Sequence, residues 1–237
     1  MPLVARAVVH ERIMVAAGTP IRLLSGQMSS TTLSPRRHLS ERQADTVTRL
    51  VDATVAELRA HPASTLTVRR VAARAGVAAA TAYTYFASKE HLVTEVFWQR
   101  LQQLDPPPLD GPGDPAERAG AALGAVALLV TDEPELAAAC TVSMLAPDPE
   151  VRVLRDAIGA DVAGRLVRAL GDDGDDDCVA ALGLAFSGAM VQAGMGHLDY
   201  DDVPEQLATV ARLVLGDAGR PTEATRSTRS TRTRSAT

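Results

Sequence analysis

The chain has 237 residues, 46% hydrophobic and 22% charged, proportions ordinary for one large or two small globular domains and inconsistent with wholesale disorder. The longest gently apolar run, Ala119–Val130, is interrupted by Gly120 and Gly124 and falls short of the roughly 20 residues of a membrane span. Arg6, Glu11 and Arg12 break any signal-peptide core, and Cys140 and Cys178 stand too far apart in sequence for a metal or redox pair. The expectation is a soluble, cytoplasmic protein with no membrane partner, no cofactor and no metal.

Taken in chain order, residues 1–39 show no steady period. They carry Gly18-Thr19-Pro20, a Ser/Thr cluster and Ser34-Pro35, and read as a poorly ordered arm. Met28, followed by a polar run, reads as an alternative start, which would make residues 1–27 an extension. From Ser40, a potential N-cap, Val47, Leu50, Val51, Thr54 and Leu58 follow helical spacing until His61-Pro62 stops them. Val68, Val71, Ala72 and Ala75 mark a second helix with Thr67 as N-cap, ended at Gly76, which can adopt the left-handed conformation. A third runs over about Ala79–Phe86. Ser88 caps a long fourth that closes at Asp105-Pro106-Pro107-Pro108.

The remainder is also helical. Asp114-Pro115 opens a helix to about Thr131, Glu133–Leu145 forms another, and Asp148–Leu170 is a long one. Gly171–Asp177 reads as an acidic loop without the interval or closing glutamate of a calcium site. Cys178–Gly196 and Val203–Leu215 follow, and the tail from 217 is Arg/Ser/Thr-rich and disordered by composition. No segment alternates as a strand. The fold class is all-α with about nine helices, a domain over 40–87 and a larger helical domain over 88–216.

Charge is unevenly spread. Residues 36–100 carry ten basic and six acidic groups, whereas 101–219 carry six against 21, within a chain of net charge −5. A basic module on an acidic body points to an anion-binding head. Residues 67–90 read as helix, tight glycine turn, helix, then a lysine inside the next helix. This is helix-turn-helix geometry, whose second helix fits the DNA major groove. Its exposed face would offer Thr81, Tyr83, Thr84 and Tyr85 hydroxyls to phosphate oxygens, with Arg69 and Arg70 adding charge. Lys89 is the sole lysine.

The run Thr67, Ala72, Ala75-Gly76-Val77, Thr81-Ala82-Tyr83-Thr84-Tyr85-Phe86, Ser88-Lys89-Glu90 and Leu92 resembles the DNA-binding domain of TetR-family transcriptional regulators. That resemblance implies phosphate contacts at Thr67, Tyr83 and Lys89, base reading at Arg69, Ala79, Ala80, Thr81 and Thr84, and a backbone contact at Tyr85. Three positions depart from the family pattern. Ala78 replaces a common capping serine, Arg70 replaces the acidic member of a capping box, and Ala79-Ala80 offer only methyl groups to bases. Direct readout would rest on Arg69 and Thr81.

The resemblance further implies a homodimer formed through the last two helices. The small residues of Cys178–Gly196 suit a close helix contact, with Val203, Leu207, Val210 and Val214 as a second stripe. It also implies a repressor released from double-stranded operator DNA by a small molecule. Phe97, Trp98, Cys140, Met144, Phe186 and Met190 are the candidate ligand-binding residues, and the acidic body favours an apolar, neutral or cationic effector. Two readings stand beside this one. The chain could be a ligand-independent regulator or activator whose cavity is filled by side chains. It could also be an enzyme using the helical cavity, for which no catalytic residues are found: no paired carboxylate, nucleophile or metal spacing supports it. Arg36-Arg37 could enter a minor groove as an arm, and the tail arginines could attract DNA non-specifically.

Overall fold

The computed structural model describes residues 41–109, 111 and 113–218. The expected N-terminal arm, its Arg36-Arg37 pair, the Ser40 cap, His10, His38 and the Arg-rich tail lie outside these. Among the described residues the chain is all-α, with nine helices and no strand. They are α1 (Glu41–Ala60), α2 (Val68–Arg74), α3 (Ala79–Tyr85), α4 (Lys89–Gln103), α5 (Pro115–Ala127), α6 (Pro134–Met144), α7 (Pro149–Leu170), α8 (Asp176–Gly194) and α9 (Val203–Ala218).

Helices α1–α3 form the head. Leu50 and Leu58 of α1, Val71 and Ala72 of α2, and Ala82 and Phe86 at α3 are all at most 2% exposed. The Thr67 hydroxyl accepts from the Arg70 N–H and starts α2. Gly76, at φ 65°, stops it: Val77 N–H donates to Ala72 O and Gly76 N–H to Ala73 O, a Schellman turn. α3 starts at Ala78 without a side-chain cap, as the sequence led us to expect.

Beyond the head, three helix starts use the capping residue their sequence offers. Ser88 accepts from His91 N–H, Asp114 from Ala116 N–H and Asp148 from Glu150 N–H. Two expected boundaries shift. The fifth helix ends at Ala127 and tightens into a 3-10 turn over Leu128–Val130. The acidic stretch is also less of a loop than expected. Asp175 caps α8 by accepting from Cys178 N–H, and Asp176 and Asp177 occupy the first turn, where carboxylates favour the helix dipole.

The body is held by close backbone approach and by buried arginine. A Cβ at Gly120 would lie 2.6 Å from Ala208 Cβ, and one at Gly124 would lie 2.5 Å from Pro204 Cγ. The two glycines that interrupt the apolar run therefore let α9 sit directly on α5. This corrects one expectation: Val203 and Leu207, at 0% and 2% exposure, belong to the core of their own subunit because α9 packs on α5 and α8. Arg165 of α7, 6% exposed, donates to the carbonyls of Leu101, Leu104 and Asp105 and to Asp161. It thereby satisfies the C-terminus of α4.

α1 packs on α4 and α6, and polar contacts reinforce the join on two sides. The Ser88 hydroxyl at the start of α4 donates to Asp148 Oδ2 at the start of α7. On the other side, Glu133, immediately before α6, accepts from Arg59 Nε at 3.1 Å, Arg59 Nη2 at 3.0 Å and Arg100 Nη2 at 2.5 Å. Beside it the Ala63 N–H donates to Glu135 Oε2 at 2.6 Å.

Candidate nucleic-acid interface

The head presents one continuous polar face. Ala82 and Phe86, four positions apart, point from α3 into the core, which turns Ala80, Thr81, Tyr83 and Thr84 outward as exposed residues. Tyr83 is 49% exposed, a large aromatic left in water by its own subunit. Ala79, Tyr85 and Lys89 are half-buried, and Thr67 and Arg69 are exposed. Tyr85 packs against the core cluster, so it offers only part of its ring, whereas Tyr83 offers most of its side chain. The Thr84 hydroxyl donates to Ala80 O at 3.1 Å, leaving its lone pairs outward. Thr67 uses a lone pair on Arg70 N–H, so its own proton remains available to an acceptor.

The arginines of α2 divide sharply. Arg70 Nη2 lies 2.5 Å from Glu57 Oε1 and Arg74 Nε lies 2.6 Å from Glu57 Oε2, with Glu57 itself 4% exposed. Burial raises the Glu57 carboxyl, but the Arg74 hydrogen bond and the charges of Arg70, Arg74 and His61 outweigh it and hold the group below the usual glutamate range. Arg70, expected beside Arg69 as added positive charge, is thus committed to tying α2 onto α1. Among the described residues Arg69 and Lys89 form no ion pair, so both can neutralise a phosphate.

Glu57 was not singled out in the sequence. An acidic residue on an amphipathic helix reads as solvated, and its partners lie 13 and 17 positions away. The three described histidines lie at packing or helix-end positions. His91, 8% exposed, meets Phe86 edge-on at 5.3 Å, and His61 lies 3.9 Å from Glu57. Exposed His197 follows Gly196 at the end of α8, its N–H donating to Gln192 O.

The six expected ligand residues come from three helices that meet. α6, carrying Cys140 and Met144, packs between α4, with Phe97 and Trp98, and α8, with Phe186 and Met190. Phe97, Cys140 and Phe186, at most 8% exposed, belong to the core that runs through head and body, and Trp98, Met144 and Met190 are partly buried against it. Burial pushes the Cys140 thiol up to about 12, which makes it an inert packing group. A cleft of about 280 Å³ lies elsewhere, between α5, α7 and the α4–α5 connection, bounded by Pro107, Pro108, Ala121, Ala125, Arg118 and Arg165. Both arginines there already donate to backbone carbonyls and to Asp173 or Asp161.

α8 is distinctive in another way. By length and composition alone Asp176–Gly194 could cross a membrane, with mean hydropathy 1.3. Only Cys178, Leu182, Phe186 and Ala193 of it are buried, while Leu184 is 76% exposed. Gly183 and Gly188 have open space where a Cβ would be, so this face is shallow, apolar and lined by small groups.

Comparison with known proteins agrees with the head's geometry. A family model described as "Bacterial regulatory proteins, tetR family" matches residues 50–96. An uncharacterised HTH-type transcriptional regulator of Mycobacterium tuberculosis is 44% identical over 184 residues, covering 77% of this chain and 86% of that protein. The HTH-type transcriptional repressor KstR of Rhodococcus jostii is 27% identical over 86% of this chain and 99% of its own. Among solved structures, a TetR transcriptional regulator from a Rhodococcus species superposes with TM-score 0.62 at 20% identity, over 75% of this chain and 99% of its own. FadR from Bacillus subtilis, solved with stearoyl-CoA, gives 0.53 at 16% identity, over 69% and 96%. The chain belongs to the TetR family of bacterial helix-turn-helix transcriptional regulators.

Proposed function

We propose that this regulator is a homodimeric repressor that grips double-stranded operator DNA with α3 and is released by a small molecule bound in the body. The observation that carries the DNA-binding part is the outward face of α2, α3 and the start of α4. There Thr67, Thr81, Tyr83, Thr84 and the free cations Arg69 and Lys89 stand exposed or half-exposed on one head, a set suited to phosphate and base edges. Ala79 and Ala80 would place methyl groups against thymine, and Tyr85 would touch the backbone with the part of its ring left free. Repression is supported by the name of the KstR relative.

The apolar outer face of α8 supports self-association through the last two helices, with α9 contributing Leu213, 70% exposed. Two heads must stand about 34–36 Å apart to enter successive major grooves, which a dimer supplies. The effector site we place among Phe97, Trp98, Cys140, Met144, Phe186 and Met190, where two methionines can repack around a guest. An apolar molecule, neutral or cationic, fits this lining and the acidic body; FadR was solved with stearoyl-CoA, whose acyl chain is apolar but whose CoA part is anionic, so it supports the apolar part of this reading only. The burial of Phe97, Cys140 and Phe186, at most 8% exposed, favours a second reading, a ligand-independent regulator with a filled cavity.

The test is a gel-shift titration on the DNA upstream of the gene. A sequence-specific shift that survives in the wild type and is lost on combining Tyr83→Phe with Lys89→Ala supports the reading. No specific shift by the purified protein refutes it. Thermal-shift screening separates the two effector readings, because a ligand that binds only the native state raises its apparent stability.

A further inference from the structure

A regulator of this kind needs its head held at a defined angle, and the structure concentrates that task in one carboxylate. Glu133 is the residue just before α6. Both Nε and Nη2 of Arg59 on α1 donate to it, in the bidentate geometry that fixes direction as well as distance. Its Oε1 also accepts from Arg100 on α4, whose other arm donates to Leu129 O at 2.8 Å. One side chain, 12% exposed, therefore joins the head, the connecting helix and the body. Nothing in the interface motif predicts it, since Arg59 and Glu133 lie 74 positions apart.

We propose that Glu133 is the positioning residue that sets the angle of the DNA-reading head on the body, through Arg59. This rests on the reading of the head as the DNA-binding part. Arg59 is 64% exposed, so in its absence water would satisfy the same groups. The pair thus contributes orientation more than stability. α6 begins beside Glu133 and carries Cys140 and Met144 further along. A change in how α6 packs is therefore passed to the head through the same carboxylate. The neighbouring Glu135–Ala63 bond reaches the head at a single backbone N–H and the Ser88–Asp148 bond ties α4 to α7, whereas Glu133 accepts from both α1 and α4. Burial raises its carboxyl, yet the two arginine hydrogen bonds prevail and keep it ionised below the usual glutamate range.

The experiment measures head angle directly. Spin labels are placed at Ala73→Cys on the exposed side of α2 and Val153→Cys on α7, in full-length chain diluted with unlabelled protein; the native Cys140 and Cys178 are buried. Pulsed electron-spin measurements then give the head-to-body distance distribution. Arg59→Gln and Glu133→Gln should each broaden or displace it, while Arg212→Gln, which breaks a hydrogen bond to Thr209 internal to α9, should leave it unchanged. Arg59→Gln changes an exposed side chain, so its result stands even where Glu133→Gln folds poorly. In parallel, affinity for a duplex selected by the wild type from a randomised pool should fall about tenfold in Arg59→Gln through lost preorganisation, with an unchanged melting profile. An unaltered distance distribution in Arg59→Gln overturns the proposal. So does an altered distribution with undiminished affinity for the duplex. If the wild type selects no duplex at all, the DNA-binding reading fails, and the distance arm still decides whether Glu133 holds the head.

Discussion

Replacing Glu57 by glutamine tests how the head is assembled. The substitution keeps the shape of a side chain that is 4% exposed but removes the charge shared by Arg70 and Arg74. It also turns an acceptor into an amide whose NH2 would face a guanidinium, donor against donor. Breaking a fully buried ion pair costs about 3–5 kcal/mol because a charge is stranded. Here the arginine side chains are 40% and 38% exposed, so water solvates them afterwards, and the expected loss is about 1–2 kcal/mol. For a chain of this length each kcal/mol lowers Tm by about 2–4 °C. Circular dichroism melts at a series of pH values are the assay. A carboxyl held below its ordinary value stabilises the fold above that value, and the contribution is lost as pH falls through the lowered one. The wild-type advantage should therefore be complete at neutral pH and should shrink below about pH 4.5, the ordinary glutamate value. A variant as stable as wild type at neutral pH, or a difference that does not change with pH, would refute the reasoning.

The remaining predictions concern other parts of the molecule. Lys89→Ala should lower the slope of log affinity against log salt by about 0.9 per head, so about 2 for a dimer; an unchanged slope removes Lys89 from the phosphate contacts. Gly124→Ala pushes a methyl to 2.5 Å from Pro204 Cγ and should cost about 1–3 kcal/mol by overpacking, read by thermal melting. Leu184→Glu, on the exposed face of α8, should yield a monomer in light scattering with an intact helical spectrum. A variant that stays dimeric moves the interface elsewhere.

The head was legible because its signals are local. Thr67, Gly76 and Ser88 declare helix ends within four residues of where they act, and Ala72, Ala82 and Phe86 betray the crossing of α2 and α3 by size alone. What could not be read depends on relations between distant elements. Glu57 and Glu133 look like solvated acids until the fold brings arginines from α2, or from α1 and α4, onto them. Gly120 and Gly124 read as interruptions because the partner they make room for, Pro204 and Ala208, lies about 80 residues on. The stripe Val203, Leu207, Val210 and Val214 shows that α9 has an apolar side. Periodicity cannot say whether that side meets another subunit or the molecule's own α5. The same limit applies to the six effector candidates: helical spacing locates them on inner faces, but only packing shows that they meet at α6.

These contacts divide the body mechanically. α9 rests on α5 through Gly120 and Gly124, with a backbone or near-backbone atom under 3 Å from where each Cβ would be. No side chain there can change rotamer to absorb movement, so α5 and α9 must shift together or not at all. α6 is held differently. It meets α4 and α8 through Trp98, Met144 and Met190, which are only partly buried, and methionine repacks at small cost. Under the proposed function, a guest molecule entering the core would displace what yields first, which is α6 rather than the α5–α9 pair. Because Glu133 stands at the start of α6 and is hydrogen-bonded to Arg59 and Arg100, displacement of α6 acts on the head and on α4 together. On the proposed reading, the route from ligand to DNA would follow from which helix contacts are rigid and which are made by adaptable side chains. Linkage requires that whatever DNA affinity the ligand removes by this route, bound DNA removes equally from the ligand.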